Sequence, residues 1–563
     1  MLNGIYDYLT MRGYMGQLYE LLRQDDYSKI VIAALDALTK TKVFVELVKV
    51  TKNDQRSTEF RIKGNEAYLN SNYRDAFRWY NNAILCATEN SRALKLGYSN
   101  RSALLYTIKA YKACINDIDT CFNIGPSDHL LAERLTQRKN NCQRRQWIAD
   151  FQVLMERDTF GGTFFNFNVE RNPQIPCASL DVDIVKETDK LKAVAVRNIG
   201  VGILVALEKA YACQLDEENQ YMACEYCHKF YFNLIPCDKC CEVMFCSEIC
   251  KQRCNREFHN DECQIMHFMN GIGSGCRLAV RATIKMRNMC SSWSEFIEAS
   301  KNIGAKRMKE SSVNEIYDVN NKLSMLCFDN ELHFRYGRLC NASFMTAMAI
   351  HFLLRLPSFF PEKQVERVEA IQAFAQVMVN LGVHYTKINI QNTTKYFNTE
   401  KVTREMVCNI GWFSFTGKLK HSCDANLLVL GLNNKIALIA IRPIKKGDEL
   451  TISYVGHYYD YLHPRPFSLF WHNIQCDCRV CTEKWSTLQF RDQTLSTEEQ
   501  SAMSSIIDSH NPQTDEILFK NICDCMIILQ NAPATKEHHQ LYHGFRKMIS
   551  FYQNLYTDNY SIL

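Results

Sequence analysis

Cysteine and histidine residues at metal-ligand spacing are concentrated in one short stretch near the middle of the chain. They form four pairs, and two or three residues separate the members of each pair. Such a pair can hold one metal ion from a tight turn or from the first turn of a helix, and two pairs complete a closed tetrahedral zinc site. The spacing therefore predicts two structural zinc ions held by eight residues: Cys224, Cys227, Cys237, Cys240, Cys246, Cys250, His259 and Cys263.

Buried free cysteines are the alternative interpretation, and they are common in proteins. Free cysteines would not be expected to fall into four pairs at ligand spacing. Cys241 and Cys254 lie in the same stretch at other offsets, and we interpret them as non-ligands. The spacing identifies the ligands but leaves open which pairs share an ion.

A second group of cysteines, in the C-terminal half, predicts a third zinc ion. Cys476, Cys478 and Cys481 lie close together in the sequence, and three thiolates need a fourth ligand. Cys423, in the sequence His-Ser-Cys, is the obvious donor. The segment between them reads as a buried strand, a Pro-Ile-Lys-Lys-Gly-Asp turn and a second strand that ends near Tyr454. The ion would tie the end of this domain back over its sheet.

The N-terminal third has the pattern of an α-helical repeat. Gly64, Ala76, Tyr80 and Ala83 fall at the small, small, aromatic and small offsets of a tetratricopeptide repeat, and a second unit follows. The small residues would let two antiparallel helices approach closely, with the aromatic ring between them. An unrelated array of helical hairpins is the alternative.

Composition and charge exclude several classes of protein. The chain has 563 residues, of which 47% are hydrophobic and 23% charged, and these values are ordinary for globular domains. A net charge of +5 over this length gives no reason to expect nucleic-acid binding. The 26 cysteines would suit a secreted disulfide protein, but the zinc spacing and the lack of a signal-peptide pattern favour the cytoplasm or the nucleus. We expect no membrane span.

Three further motifs resemble one enzyme family. His-Ser-Cys-Asp-Ala-Asn at 421–426, the hairpin at 445–454 and Cys-Asp-Cys-Arg-Val-Cys at 476–481 resemble the second half of a SET domain and its post-SET cysteines. Residues 193–212 resemble the opening SET strands, and the cysteine-rich stretch that follows resembles a MYND zinc finger. A SET domain split by a MYND finger, with repeats in front, is the layout of the repeat-bearing branch of the SET-and-MYND protein-lysine methyltransferases.

This resemblance implies an α+β multidomain chain with all-α tetratricopeptide-type repeats, a β-rich split SET domain and a short helical C-terminal tail. The expected boundaries are 1–56 for an N-terminal helical segment, 57–147 for the repeats, 185–223 for the first part of the SET domain, 224–263 for the MYND finger, 264–470 for the second part of the SET domain, 471–482 for the post-SET zinc motif and 483–563 for the tail. In MYND fingers the pairs interleave, so the first and third pairs would share one ion and the second and fourth the other. MYND fingers usually bind proline-containing peptides, such as those of a corepressor or histone deacetylase.

The family transfers a methyl group from S-adenosylmethionine to a lysine side chain of a protein, and Tyr454 occupies the position of its catalytic tyrosine. Several residues at the cofactor positions depart from the family pattern. Lysine and leucine replace the Gly-x-Gly turn, lysine replaces the asparagine of Asn-His-Ser-Cys, and isoleucine replaces the aromatic residue over the adenine. The cofactor positions are Lys190, Leu191, Lys192, Asn392, Lys420, His421, Tyr454 and Ile474. The chain is therefore either a methyltransferase or a catalytically weak scaffold that keeps the fold.

A binding site for the acidic C-terminus of an Hsp90-type chaperone is a further hypothesis for the repeats. Repeats of this kind use basic and asparagine side chains as a carboxylate clamp. Residues at the matching order and spacing are Arg61, Asn65, Asn100, Arg134 and Arg138. The alternative is that these are ordinary repeat residues with solvated arginines.

Overall fold

The structure is a computed structural model that describes most of the chain. The described residues are 27–40, 51–125, 128–153, 169–187, 190–217, 219–267, 274–328, 336–385, 388–395, 404–455 and 476–484, with the single residues 269, 469, 474, 520, 523, 524, 527 and 542. Most of the predicted tail at 483–563 and the start of the predicted motif at 471–482 lie outside them.

The described part of the N-terminal region contains six helices, and their bounds are α1 Tyr27–Lys40, α2 Asp54–Leu69, α3 Tyr73–Cys86, α4 Arg92–Thr107, α5 Tyr111–Asn123 and α6 His129–Val153. Helix α2 starts at Asn53, whose side chain accepts hydrogen bonds from two backbone N–H groups of the first turn. Helices α2 to α6 pack in succession, which we call the helical array. A Cβ atom on Gly64 would lie 2.5 Å from the ring of Tyr80, so the close approach of α2 and α3 needs glycine.

Helix α1 does not join the array. It packs instead against two helices far along the chain, α13 (Tyr336–Leu353) and α14 (Gln364–His384). Its apolar face, with Ile30 and Val31, belongs to the same buried cluster as those helices. Helix α1 is therefore part of the core that the helices of the central domain form, which a motif search of the array could not show.

The central domain is built from strands of both halves of the chain. The strands are β1 Arg171–Asn172, β2 Ile175–Ser179, β3 Val182–Glu187, β4 Lys190–Ala195, β5 Leu204–Lys209, β6 Ala212–Leu215, β7 Ile235–Pro236, β8 Met244–Phe245, β9 Ile388–Lys395, β10 Arg404–Trp412, β11 Lys420–His421, β12 Leu427–Leu432, β13 Lys435–Ala440 and β14 Thr451–Ile452. One sheet has the order β1-β2-β5-β13-β12 and another the order β6-β10-β9. Strands β1 and β2 lie before residue 185, the domain start that the motifs predict. Because these two strands carry no motif, the sequence comparison did not include them.

Pairing between distant strands closes the domain around the cysteine-rich insert. Strand β5 pairs antiparallel with β13, and β6 pairs antiparallel with β10. Strand β11 runs parallel to β14, with Lys420 opposite Thr451 and His421 opposite Ile452. The halves before and after the insert therefore contribute strands to the same two sheets.

Short and long helices complete the domain: α7 Glu248–Cys254, α8 Asn260–Glu262, α9 Ser274–Met289, α10 Trp293–Ser300, α11 Ala305–Glu310, α12 Val313–Tyr317, α13, α14 and α15 Arg479–Thr482. A π-helical turn at Asn255–His259 joins α7 to α8, and a 3-10 turn covers Thr416–Lys418. Among the described helices, none combines the length and the apolar character that a membrane span requires.

The helical array docks on the cysteine-rich insert through a buried polar contact. The Arg101 side chain is 1% exposed and donates two hydrogen bonds to the Asp117 carboxylate, at 2.7 and 2.8 Å. Its remaining nitrogen donates to Asn81 on α3 and to the carbonyl of Leu234, in the insert. Phe77 packs beside Phe230, so aromatic contacts seal the same junction.

Candidate functional site

The structure gathers the predicted metal ligands into three clusters of four. One cluster holds the first and third pairs of the insert, the second holds the second and fourth pairs, and the third joins Cys423 to the three cysteines at 476–481. The members are Cys224, Cys227, Cys246 and Cys250; Cys237, Cys240, His259 and Cys263; and Cys423, Cys476, Cys478 and Cys481. Within each cluster all ligand atoms lie within 4.8 Å of one another.

The distances between sulfur atoms fit a zinc ion at the centre of each cluster. Zn–S bonds of about 2.3 Å in a tetrahedron put neighbouring sulfurs about 3.8 Å apart. The Sγ–Sγ distances are 3.7 Å for Cys227 and Cys246, 3.9 Å for Cys237 and Cys263, and 3.6 Å for Cys423 and Cys481. All are far longer than a disulfide bond. The donor sets therefore fit three closed metal sites.

A buried charge network holds the two clusters of the insert against helix α9. Arg281 donates to Glu225, which follows Cys224, and to Glu262, which precedes Cys263, at 2.6 Å each. Arg277 reaches the same Glu225 oxygen at 2.6 Å. The two arginines lower the pKa of Glu225, although burial opposes them. Both carboxylates therefore stay ionised, and one arginine stabilises the backbone next to both clusters.

The predicted catalytic tyrosine lies directly after β14, partly buried in the central core. Its hydroxyl donates to the carbonyl oxygens of Thr416 at 3.1 Å and Leu419 at 3.0 Å. Its backbone N–H donates to Nδ1 of His421 at 3.3 Å. Burial raises the pKa of Tyr454 well above its usual value, and Glu208 raises it further. The phenol is therefore neutral at physiological pH.

The 3-10 turn that presents these two carbonyls is held by two buried charges. The Glu208 carboxylate accepts from the backbone N–H groups of Phe415 (2.7 Å) and Thr416 (2.8 Å) and from the Thr416 hydroxyl (2.7 Å). Lys418 donates to the carbonyl of Ser414 at 2.6 Å and to two carbonyls outside the turn. Burial lowers the pKa of Lys418 to about 8. Motif comparison missed both residues.

The predicted cofactor residues are placed in two groups. Lys420 and His421 form β11 beside Tyr454, and Ile474 lies outside any strand, where its N–H donates to the carbonyl of Leu469. The Lys420 ammonium pairs with Asp477 at 3.1 Å, so it contacts the post-SET segment. His421 is buried, and its Nε2 lies 3.5 Å from the sulfur of Cys423.

The Lys190-Leu191-Lys192 segment is not a tight turn but the start of β4, paired in register with β3. In the next residue of the strand, the carbonyl of Ala193 accepts from the N–H of Leu450, so β4 runs beside the segment that leads into β14. Asn392 lies in β9 opposite Val407. The side chains of Lys190 and Asn392 lie outside the described part of the structure.

A cavity of about 220 Å³ lies between the β3–β4 hairpin and the α11–α12 junction. Its walls combine apolar side chains with lysine ammonium groups and serine hydroxyls: Ile184, Lys186, Leu191, Lys309, Ser311, Ser312, Val313 and Ile316. The carbonyl of Ile316 accepts from Lys418, so one wall of the cavity contacts the turn that supports Tyr454. Such a lining suits a ligand with an apolar body and a carboxylate.

The five predicted clamp residues occupy three helices of the array. Asn100 on α4 donates to Asn65 on α2 at 2.7 Å, so the two asparagines lie together. Arg138 on α6 donates to Ser102 at 2.7 Å, and Arg134 donates to the carbonyl of Leu130 in its own helix. The Nε atom of Arg61 is buried without a hydrogen-bond partner.

Comparison with known proteins identifies the central domain. The family model of the SET domain matches residues 30–455, which is more than half of the chain. The protein-lysine N-methyltransferase SMYD4 of Danio rerio is 25% identical over 265 residues, covering 43% of this chain and 33% of that protein. Human SMYD4 is 20% identical over 527 residues, covering 72% of this chain and 64% of that protein.

A further relative is the N-lysine methyltransferase SMYD2-B of Danio rerio, 25% identical over 296 residues, which cover 51% of this chain and 57% of that protein. The chain spans between one third and just under two thirds of the length of these relatives. The SET match and the SMYD relatives confirm the resemblance that the motifs predicted, and this chain belongs to the SET domain family.

Proposed function

We propose that this protein is a protein-lysine N-methyltransferase that uses S-adenosylmethionine. The observation that carries the proposal is the hydrogen bonding of Tyr454. Its neutral phenol donates its hydrogen to two backbone carbonyls. The names of the SMYD relatives support the same reaction class.

The hydrogen bonds of the Tyr454 hydroxyl determine which groups its oxygen can accept. Because its hydrogen is donated to Thr416 and Leu419, the oxygen keeps its lone pairs for an incoming N–H group or for positive charge. Its raised pKa means that the phenol is not the base that removes the lysine proton. The substrate amine must therefore lose its proton to solvent or to another group before transfer. Tyr454 then orients the amine and stabilises charge at the transferring methyl group, and such electrostatic positioning is a large part of catalysis.

The cavity beside the β3–β4 hairpin has the chemistry to hold part of the cofactor. Lys186 and Lys309 can bind a carboxylate, and Leu191 and Val313 offer apolar contact. The Lys420 ammonium forms an ion pair with Asp477. Lys420 therefore places no unpaired ammonium beside the cofactor. When bound, S-adenosylmethionine supplies an activated methyl group.

The first test is calorimetric titration of S-adenosylmethionine into full-length, zinc-loaded protein. Binding should be followed by transfer of tritiated methyl groups to lysine in a mixed protein extract, with the Tyr454→Phe variant alongside. We expect the variant to bind the cofactor like the wild type and to lose about 10²-fold or more in transfer rate, because it lacks the oxygen. Cofactor binding that is absent at millimolar concentration in folded protein would refute the proposal.

A scaffold without transfer activity is the second candidate, and the departures at Lys190, Leu191, Lys192, Lys420 and Ile474 favour it.

We propose tetratricopeptide-type repeats for the array and a MYND finger with two zinc ions for the insert, with a third zinc ion behind the tyrosine. Clustered thiolates suit a reducing compartment, which supports a cytoplasmic or nuclear location.

Two partner surfaces follow from this second candidate. The buried Arg61 Nε and the Asn65–Asn100 pair support an acidic chaperone C-terminus on the array. Ile249 on α7 is 62% exposed, and it supports a proline-containing corepressor or deacetylase peptide on the finger.

A further inference from the structure

Glu208 is a buried charge that the proposed reaction does not yet use. Its side chain is fully buried on β5, in the half of the domain that precedes the cysteine-rich insert. An ionised carboxylate in such a place costs several kcal/mol, roughly, unless hydrogen bonds compensate for the lost water. The three donors that compensate for it all belong to Phe415 and Thr416, in the other half of the domain.

The path from Glu208 to the reacting group is short and continuous. The carboxylate binds the N–H and the hydroxyl of Thr416, and the carbonyl of the same residue accepts the Tyr454 hydroxyl at 3.1 Å. The Leu419 carbonyl, directly after the 3-10 turn, is the second acceptor at 3.0 Å. Glu208 therefore holds the N–H and hydroxyl groups of Thr416, the residue whose carbonyl accepts the Tyr454 hydroxyl.

We propose that Glu208 is a positioning residue for methyl transfer, because it fixes the turn Thr416–Lys418 and with it the carbonyls of Thr416 and Leu419 that orient the Tyr454 hydroxyl. The inference rests on the proposed function and adds a residue from the first half of the domain to it. The carboxylate acts only through the turn.

The donors around residue 208 explain why a carboxylate fits there and an amide does not. All three hydrogen-bonding groups that face Glu208 are donors, and an ionised carboxylate only accepts. A glutamine in its place would turn an NH2 group toward at least one of these donors. The turn must then shift, and the two carbonyls would move relative to Tyr454.

The test compares full-length, zinc-loaded wild type with Glu208→Gln, with Glu298→Gln, at an exposed residue of α10, as a control elsewhere in the domain. The first measurement is the NMR resonance of the Tyr454 ring carbon that bears the hydroxyl, in protein labelled at that carbon in tyrosine. Its assignment comes from the signal that Tyr454→Phe loses. The second pair of measurements is the cofactor Kd by calorimetry and the kcat for methyl transfer.

We expect Glu208→Gln to move the Tyr454 resonance, to keep the cofactor Kd within about twofold and to lower kcat by about 10²-fold, the loss typical of a misplacement near 1 Å. Glu298→Gln should change none of these values. An unmoved Tyr454 resonance in a folded variant, or a kcat within threefold of wild type, would overturn the inference while the proposed function stands. A wild type that binds no cofactor would instead overturn the proposed function and the positioning role with it.

Glu208→Gln could fail to fold, because the residue is buried. Thr416→Val keeps the shape of the side chain and removes only the hydroxyl that donates at 2.7 Å. We expect a shift of the Tyr454 resonance in the same direction and a smaller loss of kcat, about tenfold. A Thr416→Val protein with the wild-type resonance and kcat would overturn the inference as well.

Discussion

Replacement of Arg101 by methionine should uncouple the helical array from the cysteine-rich insert. The wild-type guanidinium donates to Asp117, Asn81 and the Leu234 carbonyl, and the side chains of Arg101 and Asp117 are each 1% exposed. Methionine fills similar space but leaves the Asp117 carboxylate buried with only the Asn233 amide and no cation. Removal of one partner from a buried ion pair costs about 3–5 kcal/mol.

Hydrogen exchange measured by mass spectrometry is the suitable assay, because a chain of several domains need not unfold in one step. A loss of 3–5 kcal/mol corresponds to exchange faster by roughly 10²- to 10⁴-fold in segments that open together. The effect should appear in α3 to α5 and also in residues 230–236 of the insert. It should be small in β12 and β13, which lie in the central sheet.

Two comparisons make this prediction sharp. Arg92 forms a long, exposed ion pair with Asp128 at 3.9 Å. In the same exchange measurement, Arg92→Met should change the free energy of opening by less than about 1 kcal/mol. Arg101→Met combined with Asp117→Leu removes both charges and should recover much of the loss. Unchanged exchange at residues 230–236 in Arg101→Met would show that the contact does not couple the two parts.

Two other perturbations test the metal clusters. Cys423→Ser should lower the zinc content of purified protein from three ions to two, measured by atomic emission, because three ligands remain for one site; three retained ions would contradict this. Arg281→Met should lower the free energy of local opening at α9 and residues 224–263 by about 3–5 kcal/mol, since Glu225 and Glu262 lose a shared buried cation, and hydrogen exchange with zinc present measures it. A loss below 1 kcal/mol would show that Arg277 alone is sufficient.

The metal ligands were readable from the sequence because their chemistry is local. Cysteine pairs at fixed spacing must lie on one turn, and two pairs must meet to complete a tetrahedron. The choice of Cys423 as the fourth ligand of the third cluster also follows, since three thiolates cannot close a site alone. The structure brings all twelve residues together in the predicted combinations.

The interior contacts were not readable, because they depend on pairing between distant segments. Glu208 stands in a strand that reads as apolar, and only its shared face with Ala206 and Leu204 marks it as an inward-facing charge. Arg101 and Asp117 are ordinary charged residues on helices until the insert covers them. Helix α1 has an amphipathic pattern that identifies a helix but not its partners.

The geometry bears on the choice between an enzyme and a scaffold. Two of the departures from the family pattern are accommodated by their surroundings: Lys420 pairs with Asp477, and Leu191 gives the cavity an apolar wall. The interior holds a buried carboxylate on β5, Glu208, and a buried ammonium on the turn that contacts Tyr454, Lys418, and burial raises the pKa of the first and lowers the pKa of the second. Both charges lower stability unless their hydrogen bonds are complete, and an apolar core would hold the sheet without that cost. A site arranged in this way around one phenol is more simply explained by a reaction at that phenol than by a scaffold.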